Sequence, residues 1–259
     1  MRKRLVAGNW KMNKTQAEAT ALVEAFIRDV DLRDEVEVVL CPPYLALGCV
    51  QDLIKGTHVQ LGAQDVFWMQ SGAYTGQVSA QMLDDVGADY CIVGHSETRG
   101  KFGKLEVPDS TLGFFSETDE TVNLKIQALL YCNIAPILCV GETLSERESG
   151  KTDSVIQSQL TGALSRLVPD ELYSLVVAYE PVWAIGTGQT CDSAEAQRVC
   201  GMIRSALPGE LRDRVRVLYG GSVKASNAKE LFTQPDIDGG LVGGASLDAH
   251  EFAQIVANA

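Results

Sequence analysis

The chain has 259 residues, of which 46% are hydrophobic and 22% charged; 22 Lys plus Arg against 34 Asp plus Glu give a net charge of −12. This composition is that of a globular protein with a substantial core, which excludes extended disorder. Nucleic acids and anionic membranes bind through Lys and Arg, so neither is expected as a partner. No apolar run approaches the ~18 residues of a membrane span, and the basic start MRKRLVAGNWKMN is interrupted too early for a signal peptide.

Eight short β-branched runs, each closed by a polar residue or glycine, alternate with helical patterns. In chain order the runs are LVAGNW, VEVVLC, HVQLGA, YCIVGH, IAPILCVGE, SLVVAYE, VRVLYGG and IDGGLVGG. The helical patterns are TQAEATALVEAFIRDV, LALGCVQDLI, SAQMLDDVG, ETDETVNLKIQALL, DSVIQSQLTGALSRLV, DSAEAQRVCGMIRSAL, ASNAKELF and DAHEFAQIVA, several with a Ser, Thr or Asp cap such as Asp153 or Asp192. Continuous apolar runs are typical of parallel strands buried on both faces. Eight repeats without a Pro- or Ser-rich linker predict an α/β fold, a single (β/α)8 barrel of eight parallel strands over residues 1–259.

The seven cysteines are odd in number and form no C-x-x-C pair. This spacing argues against a disulfide framework and against a zinc site. We therefore expect buried, reduced thiols in a cytoplasmic protein that holds no metal.

Polar residues and glycines fall where the predicted strands end. They are Asn9, Lys11, Gln64, His95, Glu142, Glu180, Ser222, Gly243 and Gly244. In a barrel the carboxyl ends of the strands converge on one face, where active sites lie. These residues are therefore expected to share one pocket.

Glu180 closes an apolar strand and precedes Pro181, which biases it toward an extended conformation. Apolar residues on both sides would partly desolvate the carboxylate and raise its pKa toward that of a useful general base. From position alone, a salt-bridged or capping glutamate at a strand end is the more common role.

His95 follows YCIVG, where backbone N–H groups at the start of a short helix would oppose protonation of the ring. A neutral imidazole there could donate a hydrogen bond near pH 7, although a histidine bonded to a backbone carbonyl is the structural alternative. Lys11 follows GNW at another strand end, where a lysine is ordinarily solvated surface.

Two glycine-rich turns, YGGSV at 219–223 and VGGAS at 242–246, follow the last two predicted strands. Phosphate sites in barrels are frequently built from the backbone amides of these two loops. The stretch EPVWAIGTG at 180–188 joins a proline-stiffened start to an apolar tip and a glycine-containing end, the composition of a hinged lid. An ordinary surface loop is the alternative, but it would leave Trp183 and Ile185 permanently exposed.

Taken together, the motifs resemble those of the triosephosphate isomerase family over essentially the whole chain. They are AGNWKMN at 7–13, CPPY at 41–44, GAQDV and GAYTG within 62–76, VGHSE at 93–97, ILCVGE at 137–142, AYEPVWAIGTG at 178–188, YGGSV at 219–223 and LVGGASL at 241–247. The resemblance implies a cytoplasmic, homodimeric isomerase of glycolysis and gluconeogenesis. It would interconvert dihydroxyacetone phosphate and D-glyceraldehyde 3-phosphate through an enediolate, without cofactor or metal.

The same resemblance implies residue roles. Glu180 would be the base that shuttles the proton, His95 would polarise the carbonyl, and Lys11 with Asn9 would stabilise negative charge and hold the substrate. Ser96 and Glu97 would support these groups, with Glu97 against Lys11.

The resemblance also implies which residues contact the substrate phosphate and which contact the second subunit. Residues 181–188 would close as a lid, and the loop around Thr75 would complete the pocket of the second subunit. The phosphate would be bound through the backbone amides of Gly186, Ser222, Gly243 and Gly244.

The chain departs from the family pattern in two ways. Thr98 stands where the family has an arginine and Gln77 where it has a glutamate, both near the family's dimer interface, so a charge pair is expected to be missing. Residues 104–116, after the fourth strand, are extra. We expect them to form a surface loop in which Phe114 and Phe115 need cover.

Two other functions remain compatible with a phosphate-binding barrel. One is a Schiff-base aldolase with Lys11 or Lys224 as nucleophile, although no lysine ends an interior strand. The other is a barrel that has lost catalysis and acts as a binding or scaffold protein, which the joint presence of Asn9, Lys11, His95 and Glu180 opposes.

Overall fold

Eight parallel strands form a closed barrel. The computed structural model describes residues 2–31, 34–102, 108–185 and 191–259. The strands are β1 (Arg4–Asn9), β2 (Val36–Cys41), β3 (Val59–Ala63), β4 (Tyr90–Val93), β5 (Ala135–Val140), β6 (Val176–Tyr179), β7 (Arg216–Tyr219) and β8 (Gly239–Val242). Each pairs in parallel with the next in chain order, and β8 pairs with β1, which closes the sheet. The predicted (β/α)8 fold is confirmed.

Ten α-helices lie between and after the strands in the described part of the chain. They are α1 (Gln16–Asp29), α2 (Leu47–Ile54), α3 (Ala80–Asp85), α4 (Asp119–Tyr131), α5 (Leu144–Glu148), α6 (Thr152–Ala163), α7 (Ser193–Ala206), α8 (Leu211–Arg214), α9 (Ala225–Phe232) and α10 (Ala249–Ala257). The sequence did not predict α5 and α8, because helices this short show no apolar periodicity. Within the described ranges, no helix has the length and apolar character needed to cross a bilayer.

The predicted helix caps had mixed outcomes. Asp192 caps α7, since its side chain accepts a hydrogen bond from the backbone N–H of Glu195 at 2.7 Å. Asp153 does not cap α6: it lies in the first turn, and the N-cap residue is Lys151.

Side chains alternate between two apolar cores. In β1, Leu5 and Ala7 point into the barrel, whereas Val6 packs in the layer between strands and helices. That outer layer includes Phe26 of α1 and Phe252 of α10, whose ring centroids are 5.1 Å apart. Both faces of the strand are therefore buried, which is why its sequence reads as a continuous apolar run.

Closure of the barrel depends on a glycine where β8 meets β1. Gly239 has φ +139°, and a Cβ at this position would lie 1.9 Å from the carbonyl oxygen of Leu5. Any larger residue would therefore push the two strands apart.

Arg204 of α7 ties the helical layer to the amino-terminal ends of β7 and β8. Its guanidinium donates to Asp236 Oδ1 at 2.8 Å, to Asp238 Oδ2 at 2.6 Å and to three backbone carbonyls. Asp238 also accepts from the backbone N–H of Val217 at 2.9 Å. This cluster is mostly buried and fully hydrogen-bonded on the arginine side.

We predict that Arg204→Met lowers the free energy of unfolding by about 3 kcal/mol, because a buried carboxylate loses its principal cation. Arg2 still reaches the other oxygen of Asp238 at 2.8 Å, which keeps the loss moderate. Urea denaturation measures the change. The matched control is Arg198→Met, which removes a half-exposed arginine of the same helix and should cost less than about 1 kcal/mol. Equal losses in the two variants would contradict the prediction.

The extra segment lies between β4 and α4. Within it Asp109–Phe114 form a 3-10 helix, and residues 103–107 lie outside the described residues. Phe115 packs edge-on against Phe102 and against Phe114, each with 5.2 Å between ring centroids. Phe114 itself remains 86% exposed. The expected cover is thus found for Phe115 and not for Phe114.

Candidate active site

A cavity of about 320 Å³ opens at the carboxyl ends of the strands. The predicted site residues that line it are Asn9, Lys11, His95, Glu180, Ser222, Gly243 and Gly244. They follow β1, β4, β6, β7 and β8, so the barrel brings together residues from both ends of the chain. Gly186 lies outside the described residues, and Thr75 is exposed and not part of the lining.

Lys11 sits on strained backbone that its neighbours hold in place. Its φ is +52°, a left-handed conformation that is uncommon for a residue with a side chain. Its N–H donates to Asn9 Oδ1 at 3.0 Å, and the amide of Gln64 donates to its carbonyl and to that of Cys41, both at 2.9 Å. The ammonium lies 2.6 Å from Glu97 Oε1. Lys11 is therefore fixed at both ends.

Glu180 is held where β6 leaves the sheet. Its N–H donates to the carbonyl of Val140 at 2.8 Å, and its backbone runs so close to Gly141 that a Cβ there would lie 1.7 Å from the Glu180 carbonyl oxygen. The carboxylate is buried, with Oε1 2.8 Å from His95 Nε2 and Oε2 accepting the N–H of Ser96 at 3.0 Å. Base and imidazole are thus in direct contact.

The pKa of Glu180 is lowered, whereas the sequence predicted that it would be raised. Burial does raise it, but the imidazole of His95, the N–H of Ser96 and the ammonium of Lys11 outweigh burial. The prediction was wrong because it considered only the apolar flanks of Glu180 and not the donors that β1 and β4 contribute. The carboxylate is consequently ionised at neutral pH, as a base must be.

The ring of His95 is positioned through both nitrogens. Nδ1 accepts the N–H of Glu97 at 3.1 Å, so the proton of the neutral ring lies on Nε2, toward Glu180. Burial opposes protonation, but the carboxylate of Glu180 outweighs it and raises the pKa of His95. The sequence predicted that protonation of His95 would be opposed; that prediction was wrong, because it did not place the carboxylate of Glu180 beside the ring.

Two loops place backbone amides at the other side of the cavity. The N–H groups of Ser222, Gly243 and Gly244 donate to no acceptor among the described residues. The turn after β7 is held by a hydrogen bond in which the side-chain amide of Asn227 donates to the carbonyl of Ser222 at 3.0 Å. This arrangement suits a phosphate group, which several amides can bind at once.

Known proteins are similar to this chain over almost its whole length. The profile described as triosephosphate isomerase matches residues 4–259. A protein of Alkaliphilus oremlandii is 48% identical over 99% of both chains, and one of Nostoc sp. is 49% identical over 99% of both. A third, of Chlorobium luteolum, is 50% identical over 99% of this chain and 98% of its own. All three are named triosephosphate isomerase. The chain belongs to the triosephosphate isomerase family.

Family membership confirms the resemblance that the motifs indicated, and other residues now acquire a structural role. Gln64 and Glu142, which were predicted to share the pocket because they follow strands, do not line the cavity. Gln64 holds the strained carbonyl of Lys11, while Ser96 acts through its backbone N–H rather than its hydroxyl. The sequence indicated these residues by their positions at strand ends, but it contains no pattern that predicts the hydrogen-bond partner of each.

Residues 181–185, the first part of the segment expected to close as a lid, pack against the rest of the protein. Glu142 Oε1 accepts from Trp183 Nε1 at 2.9 Å and from the hydroxyl of Tyr179 at 3.2 Å. Arg147 lies over the Trp183 ring, 4.4 Å from its centroid, and Ile185 lines the cavity. Burial raises the pKa of Glu142 against the effect of these donors. Trp183 is therefore buried in the described conformation, whereas Ile185 is half-buried and lines the cavity.

Proposed function

We propose that this protein interconverts dihydroxyacetone phosphate and D-glyceraldehyde 3-phosphate through an enediolate, with Glu180 as the base. The observation that carries the proposal is the buried contact between Glu180 Oε1 and His95 Nε2, 2.8 Å, in a cavity that also holds an ammonium group and unpaired amides. Moving a hydrogen between adjacent carbons needs a base at carbon and a proton donor at oxygen. Triosephosphate isomerase is itself the standard example of a carboxylate base paired with a neutral histidine, so this pairing follows the family.

The proton transfers balance within these groups. Glu180 removes a proton from the carbon next to the carbonyl, while the Nε2 proton of His95 polarises the carbonyl oxygen. The resulting enediolate carries negative charge, which the ammonium of Lys11 and the side-chain amide of Asn9 stabilise. Glu180 then returns its proton to the neighbouring carbon, and the oxygens exchange protons through His95.

The remaining residues hold the substrate during these steps. We propose that the amides of Ser222, Gly243, Gly244 and Gly186 bind the phosphate, and that residues 181–188 close over it. Closure would exclude water from the enediolate and retain it until the second proton transfer. Glu97 supports this chemistry by holding Lys11 and the imidazole.

We further propose one barrel domain over residues 1–259, with 104–116 as an insertion after β4. We also propose that the protein acts in glycolysis and gluconeogenesis and in the cytoplasm. No metal, cofactor, nucleic acid or membrane takes part in the proposed mechanism. Within the described residues, no group of His, Cys, Asp or Glu side chains is placed to hold a metal ion.

A coupled assay in both directions tests this function. Purified protein should convert each triose phosphate into the other without added metal or cofactor, and a chelator should leave the rate unchanged. Absence of turnover would favour the scaffold alternative. Trapping of a substrate adduct by borohydride would instead favour the Schiff-base aldolase.

We also propose a homodimer, because exposed apolar side chains follow three neighbouring strands. Met12 is 96% exposed, Leu45 83% and Met82 57%, beyond β1, β2 and β3. Thr98 does not replace the missing charge pair with a new one: its hydroxyl donates to Glu117 of its own chain at 2.6 Å.

Sedimentation equilibrium of the wild-type protein should show a dimer. Thr75→Arg should shift the protein to the monomer, because an unpaired charge buried in the interface opposes association. The same variant should lower kcat/KM at least about tenfold. Thr233→Arg, at an exposed position after α9, is the matched control and should leave both quantities unchanged. A Thr75→Arg monomer with full activity would contradict the proposed dimer.

A further inference from the structure

Two lysines line the active-site cavity, and they differ in their partners. Lys11 has its ammonium 2.6 Å from Glu97 Oε1. Lys224 is exposed at the rim, and no Asp or Glu of the described residues lies within ion-pair distance of its ammonium. No described carboxylate therefore forms an ion pair with Lys224, and the one that contacts this turn, Glu251, accepts the backbone N–H of Ala225 at 2.8 Å.

The backbone fixes Lys224 beside the amides proposed to bind phosphate. Its N–H donates to Asn227 Oδ1 at 2.8 Å, and the amide nitrogen of the same Asn227 donates to the carbonyl of Ser222 at 3.0 Å. One side chain thus fastens both ends of the short turn that carries Ser222 and Lys224. The backbone of Lys224 is therefore held at the edge of the cavity that this residue lines.

The net charge of the cavity is zero only if the ammonium of Lys224 is included. The charged lining groups are Lys11, Lys224 and Glu180, and Glu97 pairs with Lys11. Two cations and two carboxylates leave a neutral site, on a protein whose net charge is −12. Without Lys224 the site would be negative, and a triose phosphate carrying about two negative charges would be repelled.

We propose that Lys224 is the cation that draws the phosphate group of the substrate to the cavity. This inference rests on the proposed function. Lys224 acts on the encounter and not on the proton transfers, because its side chain lies at the rim while Glu180 and His95 are buried. Steering of this kind raises association rates and weakens as salt screens the charge.

The experiment compares Lys224→Met with Lys229→Met in the full-length protein. Both variants remove one exposed lysine, but Lys229 lies further along α9 and does not line the cavity. At an ionic strength of about 0.01 M, Lys224→Met should lower kcat/KM for glyceraldehyde 3-phosphate about fivefold without changing kcat. The difference from wild type should disappear near 1 M salt, and Lys224→Arg should restore the rate.

Equilibrium binding of inorganic phosphate, measured by calorimetry, supplies a readout that needs no turnover. Its affinity at low salt should fall about fivefold in Lys224→Met and stay unchanged in Lys229→Met. Equal behaviour of the two variants in kcat/KM and in phosphate affinity would overturn the proposal. A loss in kcat, or a loss that persists in high salt, would also overturn it. An inactive wild type that still shows the difference in phosphate affinity would refute the isomerase function alone.

Discussion

Replacing Glu180 by glutamine lowers kcat for triose phosphate interconversion by at least about a thousandfold, since the reaction loses its general base. The amide keeps the size of the side chain but cannot accept the proton from carbon. Affinity for glycerol 3-phosphate, which has the phosphate and no carbonyl, should change less than about threefold, because the phosphate amides lie on other loops.

Two measurements separate loss of the base from loss of the fold. Incorporation of deuterium from D2O into the substrate carbon should disappear with Glu180→Gln and persist at a reduced rate with Glu180→Asp. The aspartate retains a carboxylate but withdraws it by one methylene, which should cost about a hundredfold. Near-normal turnover of Glu180→Gln would refute the assignment of the base.

Glu180→Gln should also change how the free energy of unfolding depends on pH. The pKa of Glu180 is lowered from its ordinary value of 4.5 in the folded protein, so the ionised group stabilises the fold above pH 4.5. This contribution is lost as the pH falls through the folded pKa. The free energy of unfolding of wild type should therefore decrease relative to Glu180→Gln in acid, and an unchanged difference would contradict the lowered pKa.

Lys11→Met is expected to lower kcat/KM by about a thousandfold or more, because it removes the cation that faces developing negative charge. The ammonium is held by Glu97 at 2.6 Å and the backbone by Asn9 and Gln64. This preorganisation means that no rearrangement is needed when the enediolate forms. Steady-state kinetics should show the loss in both kcat and KM, since the same group meets the substrate and the intermediate.

Lys101→Met provides the control for Lys11→Met. Lys101 lies a few residues after His95 and Glu97 in the chain. Its ammonium is 3.3 Å from Glu146 Oε1, and it does not line the cavity. Its replacement should change kcat/KM less than twofold. Equal effects of the two lysines would show that net charge, and not the position of Lys11, determines the rate.

The fold was predictable because its signal is local and repeated. Eight apolar runs separated by helical patterns predict a barrel, and burial of both strand faces explains why the runs do not alternate with polar residues. Helices α5 and α8 were missed because each spans little more than one turn. The 3-10 helix within the extra segment has no periodic pattern either, and its aromatic contacts depend on Phe102 outside it.

By itself the sequence determined the family, the fold class and the residues that meet at the carboxyl ends of the strands. Only the tertiary structure decided how they act on one another. The lowered pKa of Glu180 arises from donors at positions 11, 95 and 96, and the left-handed backbone of Lys11 from hydrogen bonds with Asn9 and Gln64. A sequence shows which groups neighbour each other along the chain, whereas electrostatic and hydrogen-bonding energies depend on distances across the closed barrel. The net charge of −12 likewise says little about the cavity, where Lys11 and Lys224 are set against Glu180 and against Glu97, the ion-pair partner of Lys11.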